Sequence, residues 1–165
     1  MTVEELLEVL EMQEDVLQFS HFTNRDAWEL GSMMVNEALK RNMSVAVTIR
    51  LNNGYTVFQH GCDGTSLDHE RWQTRKYNTV KVKEMSTLRA YTYLQAQGQT
   101  LADWYMDPAE YAACGGGFPI RVEEVGVIGA ICVSGLEHVT NHDFIVKCVS
   151  KYLHVDEIPR IKGNY

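Results

Sequence analysis

Four groups of residues in this chain are of types and spacings that could do chemistry: a glycine run, a cluster of cations around a tryptophan, four cysteines and six histidines. Gly115, Gly116 and Gly117, followed by Phe118 and Pro119, lack the Gly-Lys-Ser/Thr ending of a P-loop and the Gly-x-Gly-x-x-Gly spacing of a dinucleotide fold. Glycine lets a backbone come close, either to a ligand whose anionic groups would meet free N–H donors or to a neighbouring stretch of chain. Both roles stay open. Arg71, Arg75 and Lys76 surround Trp72. They suit a site for phosphate or carboxylate, for which Arg offers paired hydrogen bonds, and they equally suit a solvated helix face. Cys114 abuts the glycines, where a thiol beside backbone N–H groups could act as a nucleophile with an oxyanion hole, or sit inert. His138 and His142 are four apart, the spacing that puts two imidazoles on one helix face. However, Thr140 reads as the cap of that helix with Val139 and Phe144 as its hydrophobic staple, which leaves His138 outside it. No metal site is expected, and Ser134 lies outside any Gly-x-Ser-x-Gly elbow.

The elements that must position these groups follow from periodicity. Thr23-Asn24-Arg25-Asp26 starts a helix whose apolar face is Ala27, Leu30, Gly31, Met34, Ala38 and Leu39. Residues 44–51 alternate Val45, Val47, Ile49 and Leu51 as a half-buried strand, and Asn53-Gly54 turns the chain into a returning strand over 55–60. A capped start at Thr65-Ser66 opens the basic helix, and a second start at Ser86 opens one that ends at Gly98. Residues 114–119 read as a loop, because glycine and proline suit neither helix nor central strand. Ile120 to Val122 and residues 125–133 then form a hairpin across Glu123-Glu124. Its second strand is apolar on both faces, as expected of a central strand covered on both sides. The order of helix, hairpin, helices, hairpin, helix predicts one α+β domain with an antiparallel sheet.

Composition narrows the class. The chain has 165 residues, 45% of them hydrophobic and 22% charged, with 12 Gly and 3 Pro, which is globular and excludes a disordered or collagen-like chain. No apolar run approaches the roughly 18 residues of a membrane span, and the acidic N-terminus is unlike a signal peptide. Cysteines 62, 114, 132 and 148 form no Cys-x-x-Cys pair, which fits reduced thiols in the cytoplasm. The net charge is −7, yet residues 1–20 hold six acids and no Lys or Arg, leaving a nearly neutral body. We therefore expect an acidic helical arm over residues 1–22, docked through Val3, Leu6, Leu7, Leu10 and Leu17 onto its own body or another subunit. The body is a domain over residues 23–165. One basic stripe in an acidic protein argues against nucleic acid as a partner.

Gly115-Gly116-Gly117-Phe118-Pro119-Ile120 and the later Gly126-Val127-Ile128-Gly129-Ala130-Ile131-Cys132-Val133-Ser134-Gly135 resemble the C-terminal signature of the GlcG/HbpS-like family. That family is described as haem-degrading or haem-binding and includes PduO C-terminal domains. The segment Trp72-Gln73-Thr74-Arg75-Lys76-Tyr77-Asn78-Thr79-Val80 is more similar to a subgroup of small cytosolic bacterial and fungal proteins of unassigned function. The resemblance implies a profilin-like α/β sandwich with a five-stranded antiparallel sheet, a short extra strand near residues 111–114, assembly into homo-oligomers and a ligand site near the Gly-Gly-x-Pro loop. Leu136 stands where many relatives continue with Gly, and a Cys-Pro haem motif is absent. The first functional expectation is an oligomeric module binding a small anionic ligand through Arg71, Trp72, Arg75, Lys76, Gly115, Gly116, Gly117 and Phe118, with haem one candidate. An enzyme degrading haem or acting on a cofactor-like compound, and a protein-interaction scaffold, are the alternatives.

Overall fold

A computed structural model describes residues 1–162 of the chain. Thr2 and Glu5 form a reciprocal capping box that starts α1 (Val3–Val16), and Thr23 with Asp26 does the same for α2 (Asn24–Lys40). The hairpin β1 (Ala46–Leu51) and β2 (Thr56–Gly61) follows, then α3 (Leu67–Lys83) and α4 (Thr87–Gln97). Beyond a 3₁₀ turn at Leu101–Trp104 come β3 (Gly117–Val122), β4 (Gly126–Ser134) and α5 (His138–Tyr152). The four strands are antiparallel in the order β2-β1-β4-β3.

Among the described residues the sheet therefore has four strands and not five. Residues 111–114 form no strand: Tyr111 N–H turns back to Asp107 O at 2.9 Å, and Ala112 N–H reaches α3, at Arg75 O (3.3 Å) and Thr79 Oγ1 (3.1 Å). The outer edge of β3 is met by Phe19, which bridges across Arg121 and Glu123. A second correction concerns residues 117–119, which belong to β3 and not to a loop. Pro119 opposes Ala130, and an edge strand tolerates a missing N–H where a central strand would not.

β4 is central, and its alternation divides the core between two layers. Ile131 and Val133 join Leu30, Met34, Ile49, Phe144, Ile145 and Val149 in the main core beneath α2 and α5. Ala130 and Cys132 face the opposite way, onto Tyr77 and Val80 of α3. The acidic arm docks on its own chain: α1 packs against α4 and buries Leu10, Gln13, Glu14 and Leu17. Glu14 keeps a salt bridge to Arg89 at 3.4 Å. Burial pushes the Glu14 carboxyl up, against the pull of Arg89 and of hydrogen bonds from Ser86.

The cap of α5 also differs from expectation. Glu137, not Thr140, is the cap, and its carboxylate accepts from Val139 and Thr140 N–H at 3.2 and 3.3 Å. In place of a hydrophobic staple, Asn141 clasps Leu136, donating to its carbonyl and accepting from its N–H, both at 3.1 Å. His138 and His142 consequently both lie on α5, but His142 is wholly buried. Among the described residues no three His, Cys, Asp or Glu are grouped to hold a metal. No described helix is long and apolar enough to cross a membrane.

Candidate functional site

A cleft of about 420 Å³ opens where the N-terminal half of α3, residue 114, the end of β4 and the first turn of α5 converge. Asp68, His69, Trp72 and Lys76 line it from α3, Cys114 from the loop, Ser134 to Leu136 from the end of β4, and His138 and Asn141 from α5. Three bonds hold α3 to β4 at this end. Ser134 Oγ donates to His69 O at 2.9 Å, Gln73 Nε2 to Cys132 O at 3.2 Å, and Lys76 Nζ to Val133 O at 2.9 Å.

The Lys76 bond takes a place in the sheet ladder. A regular antiparallel pair would have Val133 exchange both backbone bonds with Gly116. Here Val133 N–H donates to Gly116 O at 2.7 Å, while its carbonyl receives Lys76. Gly116 turns away with φ +125°, and a Cβ on it would stand 2.3 Å from Val133 O and 2.6 Å from Lys76 Nζ. Only glycine leaves room for the ammonium group to reach that carbonyl. Gly115 is equally tight, since a Cβ there would meet His138 O at 1.9 Å.

Lys76 is 2% exposed, and no carboxylate of the described residues comes within 4.0 Å of its Nζ. Burial holds its ammonium below the ordinary lysine range, with Arg75 adding to the effect and Cys114 and Cys132 opposing it. Burial pushes the half-buried Cys114 thiol up, with Lys76 and Arg75 opposing, a shift away from the thiolate. Cys132, buried in β4, is pushed up to about 12.

Of the eight residues singled out in the sequence, Trp72 and Lys76 line the cleft. Trp72 is 37% exposed and carries the Arg75 guanidinium over its ring at 4.1 Å. Arg75 Nε is buried without a partner among the described residues. Arg71 is exposed and does not line the cleft. Gly115 and Gly117 spend their N–H groups internally, on His138 Nδ1 at 3.2 Å and Thr87 Oγ1 at 2.8 Å. Phe118 is fully buried in the main core, with its ring 5.9 Å from that of His142. His138, read from the sequence only as half of a histidine pair four apart, and Asn141, not singled out there, complete the lining from α5. Their one local signal is the Ser134-Gly135 strand end, which delivers the first turn of α5 to the same edge as the glycine run.

The family described as "Haem degrading protein HbpS-like" matches residues 22–150. UPF0303 protein YE1367 of Yersinia enterocolitica is 31% identical over 154 residues, 93% of this chain and 91% of that one. UPF0303 protein SCO2848 of Streptomyces coelicolor is 37% identical over 145 residues, covering 87% and 91%. Among solved structures, the Ybr137w protein superposes with a TM-score of 0.82 at 27% identity, covering 90% of this chain and 87% of that one. HbpS itself shares the fold with a TM-score of 0.64 at 24% identity, over 82% and 92%. A PduOC:heme complex does so at 0.66 and 17% identity, over 78% and 93%. Signature, α+β architecture and relatives agree, and the chain belongs to the HbpS-like family.

Proposed function

We propose that the cleft binds a small organic anion, held by Lys76 at its floor and by the ring of Trp72 at its wall. The observation that carries this reading is a buried lysine with no carboxylate of the described residues within 4.0 Å, lining a cavity of ligand size. An arriving carboxylate would supply the charge partner that the fold withholds, in a charge-assisted bond. Arg75, stacked on Trp72, adds positive potential beside it.

Haem, the group named for the family, fits this donor set poorly as a histidine-ligated iron. His69 Nδ1 accepts from Ser66 N–H at 3.0 Å, and His138 Nδ1 accepts from Gly115 N–H. Each bond places the proton of a neutral ring on Nε2, the atom an iron would need bare. Both rings would have to give up a backbone bond to ligate.

The test is titration of Trp fluorescence with benzoate and inorganic phosphate, alongside haemin followed through the Soret band. Benzoate should saturate in wild type and weaken roughly ten- to hundredfold in Lys76→Met, the loss of a charged hydrogen bond. Arg71→Ala should bind as wild type does. Equal benzoate affinity in Lys76→Met would sink the reading. The homo-oligomer is part of the same proposal, with exposed Trp28, Leu39 and Val125 available to an interface, and sedimentation velocity reads it directly.

A further inference from the structure

We propose that Lys76 is a carbonyl-condensing amine, whose Nζ forms a Schiff base with an aldehyde or an α-oxo acid entering the cleft. The inference rests on the cleft being a ligand site, as proposed above, and names the class of ligand it takes.

Three observations carry it. Nζ is fixed in place by its bond to Val133 O, in a spot that the missing side chain of Gly116 keeps clear. It lies in the lining of the cavity and not on the open surface, in the same lining as the ring of Trp72. No carboxylate of the described residues lies within 4.0 Å to pin it as an ammonium ion, and burial lowers the cost of releasing the proton that a nucleophile must lose. An exposed lysine on the same helix, such as Lys81, has none of this enclosure.

The step balances without an oxidant or reductant. The Nζ lone pair adds to the carbonyl carbon while the π pair moves to oxygen. A proton passes from nitrogen to that oxygen, giving a carbinolamine. Loss of the hydroxyl as water, its second proton drawn from solvent, leaves a protonated imine, and water re-entering the cleft reverses the sequence. Val133 O can keep its hydrogen bond to the remaining N–H throughout. For an α-oxo acid, the iminium charge then sits one carbon from the carboxylate, which supplies the missing counter-ion.

The experiment treats the full chain with glyoxylate, or with the uncharged aldehyde propanal, in the presence of cyanoborohydride. Intact mass and peptide mapping then locate the fixed adducts. The expected result is one stoichiometric adduct at Lys76 near neutral pH, formed ahead of every exposed lysine and lost in Lys76→Met. Mapping on wild type needs no variant, so a folding defect in Lys76→Met leaves the test intact. Adducts spread over surface lysines with none at Lys76 would overturn the inference. Saturable benzoate binding without a Lys76 adduct overturns the condensation alone. A propanal adduct at Lys76 without benzoate binding supports the condensation and removes the anion reading.

Discussion

The link between arm and body makes the protein acid-sensitive in a defined window. His142 is wholly buried on α5, and its Nε2 lies 2.8 Å from Gln13 Oε1 on α1. Because Gln13 Nε2 donates to Pro159 O at 2.8 Å, Oε1 is the acceptor and His142 must carry its proton on Nε2. Nδ1 then faces the interior with no partner among the described residues, and a second proton there would be a buried, unpaired donor. Burial pushes the imidazole down from 6.5 to about 4, with His138 adding to the effect and Asp143 opposing it. Between those values the unfolded chain binds the proton and the folded one refuses it. Stability contributed by the neutral ring is therefore present above 6.5 and lost as pH falls towards 4. At 1.36 kcal/mol for each pH unit of that gap, the ceiling is about 3 kcal/mol. That is a large share of the roughly 5–15 kcal/mol that holds a domain folded. Urea unfolding at pH 7.5, 6, 5 and 4.5 should show this decline in wild type. His142→Gln keeps a donor for Gln13 and cannot titrate, so it should be less stable at pH 7.5 yet lose about 3 kcal/mol less on acidification. Parallel pH profiles for the two proteins would refute the assignment.

Gly116→Ala places a methyl against Val133 O and Lys76 Nζ at positive φ, and should cost about 1–3 kcal/mol in denaturant melts while weakening benzoate binding. Lys76 has a folded pKa below its unfolded one, so it disfavours the fold while charged and ceases to do so as pH rises towards 10.5. Relative to Lys76→Met, wild type should gain stability over that alkaline range. Its benzoate affinity should fall over the same range, measured by fluorescence titration. Arg89→Ala strands the Glu14 carboxylate, whose side chain is 1% exposed, and should cost about 3–5 kcal/mol by calorimetry. Adding Glu14→Gln to Arg89→Ala should restore part of that loss.

What the sequence made legible is what local rules decide. Alternation placed β1 and found β4 apolar on both faces, and Thr23, Ser66 and Ser86 announced their helices because a cap is written within three residues. Competition between two caps was not legible. Glu137 and Thr140 both offer an oxygen, and the Glu137 carboxylate wins by reaching two N–H groups at once, which draws His138 into α5. Nor did the sequence show that Pro119 opens onto a sheet edge, since edge and centre are tertiary facts. The basic stripe merged two faces of one helix. Trp72 and Lys76, four apart, turn into the cleft while Arg71 stays in solvent, and only the docking of α3 on β4 tells these cations apart.

The cleft exists because β3 enters the sheet late. Had the ladder run regularly through residue 116, Gly116 N–H would occupy the Val133 carbonyl and Lys76 would have no acceptor. A buried lysine without an acceptor is costly enough that α3 would have to lift or rotate, carrying Trp72 and the His69 tie to Ser134 with it. The glycine run thus matters less as a cradle of amides, two of which are already engaged, than as the place where the backbone withdraws and a side-chain amine takes its bond. That exchange accounts for three glycines side by side next to a cysteine. Gly115 clears the first turn of α5, Gly116 clears the ammonium, and Gly117 starts the strand beneath Thr87. On the proposed reading, a ligand entering here would meet one amine of fixed position with no carboxylate of the described residues within 4.0 Å, and the chemistry of the site would follow from whether the ligand brings an anion, a carbonyl carbon or both.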